Sequence, residues 1–76
     1  MIYTALPYNP VLSYMKYDKE NITIGFKKVR GVIQERSYNV NQLLAYKLFY
    51  TKTAGDCLKV YNQIKKEGRF IQAILT

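Results

Sequence analysis

The segment Ile22–Lys28 alternates between apolar residues and polar or small ones, and a turn-forming cluster bounds it on each side. Alternation is typical of a half-buried β-strand, because successive side chains point to opposite faces of a sheet. The turn signals are Asp18–Asn21 before the segment and Arg30–Gly31 after it. Two short connections in succession predict an antiparallel meander with further strands at Val11–Tyr17 and Val32–Tyr38. The apolar face of the central strand consists of Ile22, Ile24 and Phe26, and the other face of Thr23, Gly25 and Lys27.

The two ends of the chain are expected to be extended. Residues 1–10 contain Pro7 and Pro10, which interrupt regular structure, so they predict an extended arm with room for one short strand at Ile2–Leu6. Arg69–Leu75 is expected either to form a final strand or to pack on the sheet as an apolar tail.

Two helices are expected between the meander and the last segment. Asn41 is a good N-cap for a helix over Gln42–Tyr50, although the residues of this segment are also compatible with a strand. Thr53 is expected to cap the second helix, and Asp56 falls in its first turn, where the helix dipole favours a negative charge. Gly68 is expected to end that helix in the left-handed conformation. The apolar stripe of the second helix consists of Ala54, Cys57, Leu58, Tyr61 and Ile64.

These elements predict an α+β fold: a small antiparallel β-meander of three or four strands with two helices packed on one face. The chain has 76 residues, which is the length of one domain. A single hydrophobic core should therefore hold the strands and helices together. The residues expected to share that core are Ile24, Phe26, Leu48, Leu58, Tyr61 and Ile64.

The residue types that usually carry catalysis are missing. The sequence has no histidine, so it lacks the usual general base near neutral pH and the commonest metal ligand. Its four glycines stand singly and form no phosphate-binding loop, and its one cysteine cannot form a zinc site. We therefore expect no enzyme activity, no cofactor and no metal.

Cys57 is the one cysteine, and it has two interpretations. A position near a helix N-terminus would lower the pKa of a reactive thiol, whereas a place on the apolar stripe is typical of a small core residue. A lone cysteine excludes an internal disulfide, and a domain this small without one is expected in a reducing cytoplasm. The first residues do not resemble a signal peptide, and no apolar run approaches the roughly 20 residues of a membrane span, so a soluble protein is expected.

The charge balance points to an anionic partner. Twelve Lys and Arg against five Asp and Glu give a formal charge of +7, which favours nucleic acid or an acidic protein, although such a charge can also serve only solubility. The cations gather around the predicted hairpin turn and on the second helix and its exit. The candidate nucleic-acid-binding residues are Lys27, Lys28, Arg30, Arg36, Lys59, Lys65, Lys66 and Arg69. Tyrosines could stack on bases or complete the core, and the candidates are Tyr14, Tyr17, Tyr38, Tyr46, Tyr50 and Tyr61.

Several short motifs spread along the chain resemble one known family. They are Tyr17-Asp18, Ile22-Thr23-Ile24-Gly25-Phe26, Gly31-Val32-Ile33, Tyr38-Asn39-Val40 and Tyr61-Asn62-Gln63-Ile64-Lys65. Together they are similar to the KTSC domain, which is found at the C-terminus of some lysyl-tRNA synthetases and as a stand-alone protein in bacteria and phages. The resemblance covers most of the chain after Val11 and implies an RNA-binding role without catalytic residues.

The sequence thus predicts a non-catalytic binding module that binds nucleic acid weakly, as RNA or a single strand, through a basic surface. No helix carries the combination of Arg and Asn that reads bases in a duplex groove. The alternative is a phage or bacterial accessory protein that acts by protein–protein interaction. In that case Ile2–Tyr8 or Ile71–Leu75 could add an edge strand to a partner or to a second copy.

Overall fold

A computed structural model of the chain describes residues 2–75. Its elements are β1 (Ile2–Ala5), β2 (Leu12–Asp18), β3 (Asn21–Phe26), β4 (Gln34–Asn39), α1 (Gln42–Phe49), α2 (Ala54–Glu67) and β5 (Arg69–Leu75). The predicted α+β class, with two helices on one face of an antiparallel sheet, is confirmed.

The five strands form one sheet in the order β1-β2-β3-β4-β5, and each pairs antiparallel with its neighbour. The sheet is larger than the three or four strands expected, because both ends of the chain pair with the meander. The short strand expected in the arm is β1, which pairs with β2 from Ile2↔Tyr17 to Ala5↔Tyr14. Met1, also assigned to the arm, lies outside the described residues. Of the two possibilities for Arg69–Leu75, the final strand is correct.

Both predicted N-caps are confirmed. The Asn41 side chain accepts a hydrogen bond from the Leu44 backbone N–H at 2.8 Å, which begins α1 as a helix and excludes the strand alternative. Thr53 Oγ1 accepts from the Asp56 N–H at 3.2 Å and begins α2 in the same way. Each cap satisfies a backbone donor that has no partner inside its helix.

The predicted left-handed conformation of Gly68 is wrong. Its φ of −78° and ψ of 156° are extended, so the chain passes from α2 directly into β5. A Cβ at this position would overlap the Val40 side chain and the Ile64 carbonyl oxygen. Glycine is therefore required here because Val40 and Ile64 leave no space for a side chain, and not because the backbone adopts a left-handed conformation.

The core lies between the sheet and the two helices. Of the six residues predicted to share it, four are buried and two, Phe26 and Leu58, are half-buried and packed against it. Cys57 is fully buried in the same cluster, and burial raises the pKa of its thiol, as expected for a core residue. The buried cluster consists of Leu6, Leu12, Met15, Tyr17, Ile22, Ile24, Tyr38, Val40, Leu44, Ala45, Leu48, Cys57, Tyr61 and Ile64.

Candidate functional site

The turn between β3 and β4 presents three cations at one end of the sheet. Arg30 and Gly31 have positive φ values of 54° and 79°, a pair typical of a tight hairpin turn. Val29 and Val32 close the turn with two backbone hydrogen bonds of 3.0 Å. Lys28 and Arg30 are exposed and Lys27 is half-buried. We call these three cations, Lys27, Lys28 and Arg30, the hairpin cluster.

A groove of about 590 Å³ lies beside the hairpin cluster. Its wall is mainly apolar, and none of the described residues that line it is acidic. The lining residues are Pro10, Val11, Phe26, Lys27, Lys28, Val29, Val32, Gln34 and Leu75. We call this concavity the hairpin groove. Its combination of apolar wall and cationic rim suits a ligand with flat apolar parts and negative charge.

Tyr8 stands next to the hairpin cluster and is 84% exposed. The Lys27 Nζ lies 3.9 Å from the centroid of its ring, which is a close cation–π contact. Tyr8 was not among the tyrosines selected from the sequence, because its place in the arm gave no sign of a neighbouring cation. Its position between Pro7 and Pro10 was the available signal, since an aromatic residue between two prolines is unlikely to enter a strand.

Asn9 holds the loop that presents Tyr8. Its side chain is completely buried, and its Oδ1 accepts hydrogen bonds from the backbone N–H groups of Val11 at 2.9 Å and Leu12 at 2.5 Å. Its Nδ2 donates to the Pro7 carbonyl at 2.8 Å. The loop is therefore fixed by side-chain hydrogen bonds, which replace regular backbone pairing. Sequence reasoning missed Asn9.

A second group of cations lies at the other end of the sheet. Lys65 and Lys66 occupy the last turn of α2, as predicted, and Arg69 begins β5. Arg69 pairs with Asn39, whereas Leu75, which lines the hairpin groove, pairs with Gln34 at the opposite end of β4. We call Lys65, Lys66 and Arg69 the helix-end cluster. The length of β4 separates the two clusters by about 20 Å, so they do not form one continuous surface.

Arg36 and Lys59 belong to neither cluster. Lys59 is exposed on α2. Arg36 is half-buried between β4 and α2, with its Cζ 5.7 Å from the centroid of the Phe26 ring. Burial, and then neighbouring Tyr38, raise the pKa of Tyr61 to about 12 against the opposing effect of the Arg36 guanidinium. Arg36 thus packs against aromatic side chains beneath α2.

The predicted stacking tyrosines are distributed between core and surface. Tyr17, Tyr38 and Tyr61 are buried, so their rings complete the core. Tyr46 is half-buried on α1, and Tyr50 is exposed at the C-cap of that helix. Tyr14 is half-buried on the face of the sheet without helices, where it lies over Gly25 and donates a hydrogen bond to Glu35. None of the six lines the hairpin groove.

Neither cation cluster forms an ion pair with a described carboxylate. The only ion pair among residues 2–75 joins Lys16 Nζ to Glu35 Oε2 at 3.3 Å, on the helix-free face. The hydrogen bond from Tyr14 and the adjacent Lys16 hold the pKa of Glu35 below its ordinary value, against the effect of burial. The described residues contain no cluster of potential metal ligands, and neither helix is long and apolar enough to cross a membrane.

Comparison with known proteins adds no identity. The chain matches no family model, no curated protein and no solved structure. The candidate function therefore depends on the geometry of the chain itself.

Proposed function

We propose that this domain is a non-catalytic binding module that holds single-stranded nucleic acid, RNA or DNA, at the hairpin groove. The observation that carries the proposal is a concavity lined by Lys27 and Lys28 and by no acidic side chain among the described residues. Arg30 lies in the adjoining turn, and the exposed ring of Tyr8 lies against Lys27. The sequence motifs that resemble the KTSC domain also favour a nucleic-acid partner.

The two kinds of side chain would have different roles. Lys28 and Arg30 are exposed and lie at a tight turn, where their charges can contact consecutive phosphates. Lys27 covers one face of the Tyr8 ring and leaves the other face for a base, since base–aromatic stacking is tolerant of sequence. The apolar wall of the hairpin groove would receive a second base or a sugar. Such a site binds by charge and stacking, with little sequence preference.

Fluorescence anisotropy with a short labelled single-stranded RNA, titrated at several salt concentrations, tests this proposal. Each neutralised phosphate contributes a log–log salt slope of about −0.7 for single strands. The double variant Lys28→Gln/Arg30→Gln should weaken binding several-fold and flatten the slope by roughly one unit. The matched control Lys19→Gln/Lys47→Gln removes the same charge from exposed positions outside the hairpin cluster and should leave both quantities nearly unchanged. No binding at low salt, or equal losses in the two double variants, would exclude the proposed site.

A protein partner at the same groove is the second candidate. Val29, Val32 and Leu75 are large exposed apolar residues on its wall, which also suits an acidic peptide with apolar side chains. Affinity capture from native lysate, with and without nuclease treatment, separates the two. Partners that persist after nuclease favour a protein ligand, whereas partners lost with nuclease favour nucleic acid.

A further inference from the structure

The strand β5 forms a seven-residue edge of the sheet. It hydrogen-bonds to β4 on one side only, and all seven of its residues are exposed. Four of them are large and apolar: Phe70 is 54% exposed, Ile71 44%, Ile74 39% and Leu75 69%. Edge strands are usually protected by short length, proline, lysine or a bulge, because their free N–H and C=O groups can pair with another chain. The strand β5 has one bulge, at Ile71, where its pairing with β4 passes from Phe70 to Gln72. The segment from Phe70 to Leu75 contains neither proline nor charge.

The opposite edge differs in these respects. The strand β1 has four residues, and Pro7 and Pro10 follow it closely. A short strand next to prolines offers few backbone groups for pairing. The edge available for extended pairing is therefore β5.

We propose that β5 pairs antiparallel with β5 of a second copy and joins the two five-stranded sheets into one. The segment from Phe70 to Leu75 carries no charge, so it can lie against a copy of itself, and the position of the one charge on β5 favours the antiparallel direction. Arg69 is the only charge on β5 and lies at one end, so antiparallel pairing places the two Arg69 side chains at opposite ends of the seam. Parallel pairing would bring them together. A two-fold axis perpendicular to the sheet also keeps both helical layers on the same side.

The size of the apolar surface sets the strength of the dimer. The four apolar side chains together expose on the order of 350 Å² per copy, divided between the two faces of the sheet, and a single functional patch is usually of this size or larger. A standard stable interface buries about 800 Å² per partner. The pairing should therefore be reversible, with a dissociation constant in the micromolar range or above.

The proposed dimer also changes the distribution of positive charge. Antiparallel pairing places Arg69 of one copy next to Leu75 of the other, and Leu75 lines the hairpin groove. The helix-end cluster of one copy then lies at the same end of the seam as the hairpin cluster of the other, at a distance of at least two strand spacings, or roughly 10 Å and more. These like charges repel, so the dimer should tighten as salt rises. Phosphate binding has the opposite salt dependence, because it weakens as salt rises. The pairing of β5 does not depend on the proposed nucleic-acid function, so the two proposals can fail separately.

Sedimentation velocity of the full chain without nucleic acid, from micromolar to millimolar concentration and at low and high salt, tests the pairing. The wild-type mass should shift from monomer to dimer with concentration, at lower concentration in high salt. Ile71→Lys and Ile74→Lys each place two like charges near the apolar seam and should raise the dissociation constant at least about tenfold. The matched control is Leu43→Lys, which introduces the same charge at a 79% exposed position on α1 and should dimerise like the wild type.

Three results would overturn the proposal. One is a wild-type monomer throughout the concentration range at high salt. Another is dimerisation that both β5 variants leave unchanged, which would place the interface elsewhere. The third is growth beyond the dimer, which is the outcome of a head-to-tail contact between β5 and β1. Far-UV circular dichroism checks that the variants are folded. If one of the two β5 variants is unfolded, the other alone tests the proposal.

Discussion

Tyr14 on β2 lies across Gly25 of β3 and donates its hydroxyl hydrogen bond to the Glu35 carboxylate on β4. The absence of a side chain at Gly25 lets the ring cross the intervening strand. Lys16 pairs with the same carboxylate, so one aromatic ring and one ion pair connect three strands on the face without helices. This connection holds the position of β4, and β4 in turn places β5 and one side of the hairpin turn.

Gly25→Ala should lower the free energy of unfolding, because its Cβ would overlap the Tyr14 ring. Overpacking of this kind costs about 1–3 kcal/mol. Chemical denaturation measures the loss, and the Tyr14→Ala background supplies the control. Without the ring the methyl group has space, so the cost of Gly25→Ala should become much smaller there. An equal cost in both backgrounds would mean that backbone preference, and not the ring, requires glycine.

The Glu35 carboxylate should make stability depend on pH in the acidic range. Its hydrogen bond from Tyr14 and its contact with Lys16 lower its pKa in the folded state. A group with a lowered folded pKa contributes stability that is present above its unfolded pKa and lost as the pH falls through the folded pKa. The stability difference between wild type and Glu35→Gln should therefore shrink on acidification. Denaturation at a series of pH values measures it, and a difference that grows towards low pH would contradict the assignment.

Phe26 and Ile24 lie on the same strand and should differ in their contribution to stability. Ile24 is fully buried, whereas Phe26 is half-buried and contacts the edge of the Tyr61 ring with centroids 5.7 Å apart. Truncation to Ala should cost about 3–4 kcal/mol for Ile24 and about 2–3 kcal/mol for Phe26. Both values are large for a domain of this size. Thermal and chemical unfolding measure them, and a Phe26→Ala variant that melts like the wild type would contradict the packing of β3 beneath α2.

The sequence was sufficient to predict the helices and the central strands, but not how the terminal strands pair at the edges of the sheet. Alternation in Ile22–Lys28 and the capping side chains of Asn41 and Thr53 are local signals, and each identified its element correctly. Arg69–Leu75 has no such alternation, so a strand and an apolar tail looked alike. The separation of the two cation clusters depends on strand order and direction, which a charge count does not contain. Asn9 was missed because its role arises from burial in a folded loop.

Asn9→Ala should affect both stability and the Tyr8 loop. Removal of the side chain leaves the N–H groups of Val11 and Leu12 without their acceptor, which costs about 1–3 kcal/mol. The loop that presents Tyr8 then loses its anchor, and RNA affinity should fall even where the protein is fully folded. The matched control is Asn62→Ala, at an exposed position on α2, which should change neither quantity. Unaltered RNA affinity in folded Asn9→Ala would show that the Tyr8 loop does not contribute to binding.

Lys65→Gln/Lys66→Gln should weaken RNA binding only when the dimer forms. In the proposed dimer these lysines would lie at the same end of the seam as the hairpin cluster of the other copy, and their loss should flatten the salt slope by roughly one unit. In the monomeric Ile71→Lys background the same double substitution should have little effect. Fluorescence anisotropy at protein concentrations above the dimer dissociation constant measures the effect of the double substitution in each background. An equal effect in the two backgrounds would mean that the helix-end cluster binds RNA independently of β5 pairing.

The location of bound nucleic acid tests the central claim most directly. Titration of the ¹⁵N-labelled domain with a short single-stranded RNA at low salt, followed by amide chemical shifts, reports on every described element at once. The account predicts that the largest shifts occur at Tyr8, Lys27, Lys28, Arg30 and Val32, and that they disappear as salt is raised. An absence of shifts at low salt, or shifts confined to α1 and the β2–β3 turn, would contradict binding at the hairpin groove.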